Sequence, residues 1–320
     1  MAAASRILLV LGAVLVFATP AAAGAAGPPA PFDWWPVPSP DGSHVAFTRI
    51  VSGKGTRMSL DVLDLRTKRL VTVGTSVSQL DPTWSGDSSQ LAFSSGGVLR
   101  TVKANGTAKR RYVAPLKAFA PAWRPNSTQL AYLTTHGSQN TDLWVGGALW
   151  ARDVIGRPAW SPDGSAIAFQ RDNGIFVATG PGIETELASI ANPGPPAWSQ
   201  DGKSIAYGVT SVVFTVPADG SAPPKSVANA LAAVAGVSWR ADGTGLAVAY
   251  LRGVSLVRFA GPGAGGQGKP IAGSSGPGVA YLDGTNTLLL SASVRGCGGR
   301  VGIAELAGTK LRQLTGCKTG

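Results

Sequence analysis

Apolar residues alternate along this chain in short runs, such as Ile167 and Phe169 or Ile205 and Tyr207, each closed by Gly, Pro, Asp or Ser. A period of two over so few residues predicts half-buried β-strands, and long helical bundles are excluded. Further strands are predicted at Leu60–Leu65, Gly174–Ala178 and Val212–Val216, with fainter ones at Arg69–Val73, Arg111–Ala114 and Lys310–Leu314. The Ala-rich segment Ser226–Val237 could form a short helix, but a strand with its loop suits the pattern better.

These runs belong to a repeat. Its clearest copy is Arg157–Phe169 (RPAWSPDGSAIAF), followed by Pro195–Tyr207, Asp81–Phe93, Ala120–Tyr132 and Gly236–Val248. Degenerate copies stand at Trp35–Phe47, with Pro38 in the Trp position, and at Gly278–Leu290, with Tyr281 one place off. The turn residues Asp41, Asp87, Asn126, Asp163, Asp201, Asp242 and Asp283 recur every 37 to 46 residues. That period is close to the ~40–45 residues of a four-stranded propeller blade. Within each unit, strand A ends at the Trp and S-P-D-G makes a tight turn into strand B; strands C and D follow. The A–B and C–D turns then share one rim, and the B–C and D–A connections share the other. The prediction is an all-β, seven-bladed β-propeller of four-stranded antiparallel blades, with six blades as the alternative.

The amino terminus breaks the alternation. Ile7–Thr19 is an apolar run of 13 residues, followed by Pro20 and the small residues Ala21-Ala22-Ala23. This is a signal-peptide pattern, too short for the ~20 residues of a spanning helix. The expected organisation is a signal peptide over 1–23, a flexible leader over 24–31 and a single propeller domain over 32–320. The mature protein is expected to be exported (periplasmic, cell-wall-associated or secreted), with no membrane span after cleavage.

The motif P-x-W-S-P-D-G-x-x-I-A-F/Y resembles the repeat of TolB-type (WD40-like) β-propellers, which also occurs in the propeller domains of prolyl oligopeptidase-like peptidases. The resemblance covers the predicted mature chain. It includes neither the amino-terminal α/β domain of TolB nor a peptidase domain with its G-x-S-x-G elbow. It implies a fold, and activity on a propeller resides in the sites grafted onto it.

Composition narrows the chemistry. The chain has 43 Gly and 23 Pro, only 14% charged residues, and two His. Asp41, Asp87, Asp163, Asp201, Asp242 and Asp283 share one turn position, so they read as turn formers rather than a calcium array. Trp84, Trp123, Trp160, Trp198 and Trp239 share another, so they read as packing between blades. Trp34 falls outside that register and suits the channel mouth or the closure of the ring. Cys297 and Cys317 flank a predicted hairpin over Val301–Leu314, nearly opposite each other, and are expected to form a disulfide in an exported chain. Closing such a loop contributes roughly 3 kcal/mol. No metal cluster or phosphate loop is found, and no cofactor is expected.

Net charge is +11. In an exported protein this points away from nucleic acid and toward an envelope or secreted protein, or an anionic cell-wall polymer. The B–C rim supplies Arg49, Lys54, Arg57, Arg171 and Arg252, with His136 and Arg157 beside them, as a candidate anion-binding surface. The C–D loops are basic too (Arg66, Lys68, Arg69, Lys109, Arg110, Arg111), which weakens the asymmetry between rims. With no catalytic residue assigned, a monomeric, non-enzymatic binding scaffold is expected. The alternative is a channel-site hydrolase or lyase acting on an acidic sugar or lactone, using Asp33, Asp81, Arg157 and His136.

Overall fold

A computed structural model describes residues 32–315, apart from 52–55, 76–81, 113, 115–116, 137–139, 251–252, 259–267, 283–284, 294–299 and 309. The expected signal peptide, leader and Cys297–Cys317 disulfide lie outside the described residues.

Among the described residues every element is a strand, and 28 strands build seven four-stranded antiparallel sheets. In each sheet the strands follow one another in chain order, so each blade is a continuous meander. Blade 1 comprises Phe32–Pro38, His44–Val51, Arg57–Asp64 and Leu70–Thr75; blade 4 comprises Ile155–Trp160, Ile167–Arg171, Gly174–Gly180 and Ile183–Ser189. The A strands touch in cyclic order: Phe32–Pro38, Thr83–Trp84, Ala118–Trp123, Ile155–Trp160, Ala197–Trp198, Val234–Trp239, Ser274–Tyr281, and back to the first. The protein is a closed, seven-bladed β-propeller. Strand B of each blade is its most buried, as Leu91–Phe93, Ile167–Phe169 and Ile205–Tyr207 show.

The S-P-D-G turn works through its side chains. Ser161 Oγ donates to Asp163 Oδ1 (2.6 Å) and accepts from the Ala166 N–H (3.0 Å), while Asp163 Oδ1 accepts from the Ser165 N–H (3.0 Å). The following Gly164 has φ 72°, which L side chains rarely adopt. The same Ser-to-Asp bond of 2.6 Å recurs at Ser39–Asp41, Ser85–Asp87 and Ser199–Asp201. In blade 2 Ser88 takes the Gly position at φ 59°, and its Oγ accepts from the Asp41 N–H of blade 1 (3.0 Å).

Packing between blades follows an equally regular rule. Each repeat Trp donates its indole N–H to the carbonyl just before the corresponding position of the preceding blade. The pairs are Trp84 to Val37 (2.9 Å), Trp160 to Ala122 (3.1 Å), Trp198 to Ala159 (2.8 Å) and Trp239 to Ala197 (3.0 Å). A buried indole needs such a partner, and here satisfying it fixes blade against blade. Trp123 departs from the rule. Its indole N–H is buried without a partner among the described residues, and its backbone N–H reaches Thr83 Oγ1 at 3.5 Å. Tyr281 has no indole, and its backbone N–H donates to Ser238 Oγ (3.2 Å).

Blade 1 has Pro38 in the Trp position, so the ring closes by other means. The Asp33 N–H donates to the Val301 carbonyl (3.2 Å), and Thr315 Oγ1 donates to Asp33 Oδ2 (2.5 Å) while accepting from the Ile303 N–H (2.8 Å). Val45, Phe47 and Leu63 of blade 1 share a buried cluster with Leu289 and Ile303 of blade 7. Gly278 lies so close to Trp35 that an added Cβ would stand 2.6 Å from its backbone N, so only glycine fits. Among the described residues blades 1 and 7 therefore join by packing and by backbone and side-chain hydrogen bonds, without exchange of a strand.

Two outcomes should follow. Trp160, wedged edge-on against Trp150 with centroids 5.7 Å apart, should cost roughly 3–5 kcal/mol of unfolding free energy when changed to Ala. Changing it to Phe should cost about 1–2 kcal/mol, for the lost hydrogen bond; urea titration measures both. The second concerns acid. The Ser161 hydroxyl, then the Ser165 N–H and hydroxyl, hold the Asp163 carboxyl at about 2. At Asp41, burial acts in the opposite direction, but bonds from Ser39, Ser43 and Ser88 outweigh it and also bring the carboxyl to about 2. Both are lower when folded than unfolded, so their stabilisation is complete above pH ~4 and disappears as pH falls toward ~2. Asp41→Asn/Asp163→Asn should flatten the fall in urea midpoint across that window; an unchanged slope would refute the assignment.

Candidate functional site

The rim residues singled out from sequence have diverse surroundings. Arg49 lies on strand B of blade 1, directly opposite Asp33 on strand A. Its guanidinium bonds Asp33 twice, Nε to Oδ1 at 2.7 Å and Nη2 to Oδ2 at 2.9 Å, and its Nη1 reaches Asp61 Oδ2 at 2.9 Å. Asp61 also accepts from Thr72 Oγ1 (2.9 Å) and Ser59 Oγ (3.0 Å). The carboxylates are almost fully enclosed, with side-chain exposures of 2% for Asp33 and 1% for Asp61 against 22% for Arg49. Burial pushes the Asp61 carboxyl up, against the opposing pull of Arg49 and the two hydroxyls. Burial also opposes the charge on Arg49, but the Asp33 bond and both carboxylates outweigh it and hold the guanidinium protonated.

Arg171 is similarly engaged. It lies across the stacked rings of Phe169 and Phe176, 4.4 Å from the Phe176 centroid, and pairs with Glu184 at 2.7 Å. Its Nε donates to the Arg152 carbonyl (2.9 Å), and Arg152 in turn reaches Asp142 at 3.5 Å. A cavity of about 270 Å³ between blades 3 and 4 is lined by Trp150, Arg152, Arg171 and Glu184 among others.

The remaining candidates do not gather at one place. Arg57 is exposed; Arg157 is half-buried on the innermost strand of blade 4. His136 ends strand Leu130–His136, its side chain outside the described residues, where Lys54, Arg252, Asp81 and Asp283 also fall. Of the channel set, Asp33 is occupied by Arg49 and Thr315 rather than aimed into the channel with Arg157. Among the described residues no three His, Cys, Asp or Glu side chains are grouped to hold a metal ion.

The charges divide unequally. Six described carboxylates are held in ion pairs: Asp33 and Asp61 with Arg49, Asp142 with Arg152, Glu184 with Arg171, Asp242 with Arg240, Glu305 with Arg312; Asp153, Asp172 and Glu186 are exposed. Arg66, Lys68, Arg69, Lys109, Arg110 and Arg111 on the C–D edge are exposed and make no ion pair among the described residues. On the B–C rim Arg57 is likewise exposed without an ion pair among the described residues, so exposed cations stand on both rims, with more of the described ones at the C–D turns.

No family model and no curated protein matches the sequence. Its likeness is to solved propellers. An oligogalacturonate lyase from Vibrio parahaemolyticus aligns over 85% of this chain and 88% of its own, at 13% identity and a TM-score of 0.62. An acylaminoacyl peptidase from Pyrococcus horikoshii aligns over 89% of this chain and 52% of its own, at 13% identity and 0.60. A candidate TolB from Agrobacterium tumefaciens aligns over 63% and 85%, at 17% identity and 0.50. These likenesses show a β-propeller, and the narrower TolB-type assignment goes beyond them. They also correct the expectation of a non-enzymatic protein. Propellers of this architecture occur in a lyase and a peptidase, so the fold is one that catalytic proteins use.

The Asp33–Arg49–Asp61 cluster yields a test by ordering. Asp33→Asn should cost about 2–3 kcal/mol, because it removes the charge facing Arg49 and replaces one carboxylate oxygen by an NH2 donor that must face either Arg49 Nε or the Arg49 Nη2 and Thr315 hydroxyl donors. Asp61→Asn should cost about 1 kcal/mol or less, since burial already disfavours that charge and the amide oxygen still accepts from Thr72 and Ser59. Urea titrations at neutral pH measure both, and the reverse order would contradict this account of the cluster.

Proposed function

We propose that this propeller is an exported binding scaffold that takes an anionic partner of the envelope or the secreted fraction. One observation carries the reading. Most described carboxylates are engaged in turns or internal ion pairs, whereas Arg66, Lys68, Arg69, Lys109, Arg110 and Arg111 are exposed and make no ion pair among the described residues, in a chain of net charge +11. A field of one sign on a rigid disc raises the local concentration of oppositely charged partners and speeds their encounter. Export is supported by the apolar run Ile7–Thr19 ahead of the small residues Ala21–Ala23.

Biolayer interferometry on the full mature chain tests this, with polygalacturonate, inorganic polyphosphate and poly-glutamate as probes and neutral dextran as reference. Saturable binding to at least one polyanion is expected, weakening steeply with added salt because exposed charges are screened over ~8 Å at physiological ionic strength. No binding to any polyanion, or equal binding to dextran, would overturn the proposal.

A further inference from the structure

The unpaired cations are concentrated in one place. Blade 1 turns from strand C to strand D through Arg66, Lys68 and Arg69, all exposed, and blade 2 carries exposed Lys103, Lys109, Arg110 and Arg111 around the equivalent turn. The two turns belong to touching blades. A Cβ built on Gly106, in the blade 2 turn, would lie 3.2 Å from Val71 Cγ1 on strand Leu70–Thr75 of blade 1. Seven basic side chains thus line one continuous ledge along the C–D edge of blades 1 and 2.

The ledge is nearly free of compensating charge. No Asp or Glu occurs anywhere between Asp87 and Asp142 in the sequence. The carboxylate beside the blade 1 turn, Asp64, is committed to the turn itself, accepting from the N–H groups of Arg66 and Thr67 at 2.8 Å each. On blade 2, Arg100 and Arg111 face each other directly across the antiparallel strands Val98–Lys103 and Arg110–Arg111. Like charges in that position destabilise a sheet. A cross-strand arginine pair that makes no ion pair among the described residues works against the fold, and an anion laid over it removes the conflict.

We infer that this ledge is the docking site for a linear polyanion, whose successive anionic groups pair with the guanidinium and ammonium groups of the two turns. This rests on the proposed function and specifies its site. Four arginines on the exposed edge (Arg66, Arg69, Arg110, Arg111) suit phosphate or carboxylate oxygens, which guanidinium groups bond in pairs. Turn tips on two blades present their charges in succession, and an extended chain meets them in succession. One large apolar side chain, Leu70, is exposed beside them, which gives a membrane little to bury.

The test compares two variants of the full mature chain. One removes the ledge charges by R66Q/K68Q/R69Q/R110Q/R111Q; the other removes the same number of exposed cations elsewhere by R57Q/K117Q/K225Q/K269Q/K310Q. Affinity for inorganic polyphosphate and for polygalacturonate is measured at low and physiological salt, with anionic phospholipid vesicles as a third arm. The ledge variant should bind at least one polymer roughly tenfold or more weakly than the parent and show a shallower salt dependence, and the control should fall far less. The two polymer arms distinguish phosphate from carboxylate. R111Q alone should unfold at a higher temperature than the parent, because it removes the opposition to Arg100 without affecting the core. Equal losses from both variants would mean diffuse attraction and overturn the ledge while leaving the proposed function standing. Vesicle binding without polymer binding would overturn it in favour of a membrane, and a parent that binds neither polymer would overturn both.

Discussion

The structure depends on closing a ring of seven blades, because no blade can bury both faces without a neighbour on each side. The indole-to-carbonyl bond from one blade to the next serves this closure at four interfaces. Elsewhere a hydroxyl takes over: Thr83 receives the Trp123 N–H, Ser238 receives the Tyr281 N–H, and Thr315 donates to Asp33 across the seam. Since each blade is built from consecutive strands, the seam between blades 1 and 7 is held, among the described residues, by packing and hydrogen bonds rather than by a shared sheet. That puts unusual weight on Asp33, which is part of both the seam and the first blade's ion cluster.

Closure also distributes the charge. Acidic residues are few, and the fold places most of the described ones where backbone N–H groups, hydroxyls or arginines receive them. What remains outside is mostly positive, with Asp153, Asp172 and Glu186 as exposed exceptions. The rigid disc, the internal carboxylates and the basic edge are consequences of one economy, in which the turns and the seam consume the acid and leave the outer C–D turns uncompensated. The proposed binding role rests on what the fold leaves exposed, independently of whether this propeller, like others of its shape, also carries out chemistry.

Much of the architecture was legible in the sequence because it repeats. Seven turn residues and a recurring Trp define blade number, strand order and the rim on which each loop lies. The ion pairs were not legible, since they depend on register. An even hairpin from the Val37↔Ala46 pair would set Asp33 opposite Ile50; a bulge between Trp34 and Val37, with Trp35 at φ 53°, shifts the pairing by one residue and brings Asp33 opposite Arg49. One residue of slip thus turns a rim cation and a channel acid into partners. Arg171 escaped for a similar reason: its partner Glu184 lies two strands away across a pair of stacked phenylalanines, a distance that loop composition does not convey. Two cations that loop composition places on the B–C rim, Arg49 and Arg171, are thus paired internally, which leaves the C–D turns with the larger set of described exposed cations.

Hydrogen–deuterium exchange on the mature chain, with and without a saturating anionic polymer, tests the central claim that the exposed C–D edge is where an anionic partner sits. Amides of 64–70 and 100–111 should exchange more slowly in the complex, while those of 49–51 and 171–174 on the opposite rim should be unchanged. Protection confined to the opposite rim, or spread evenly over the surface, would contradict the account.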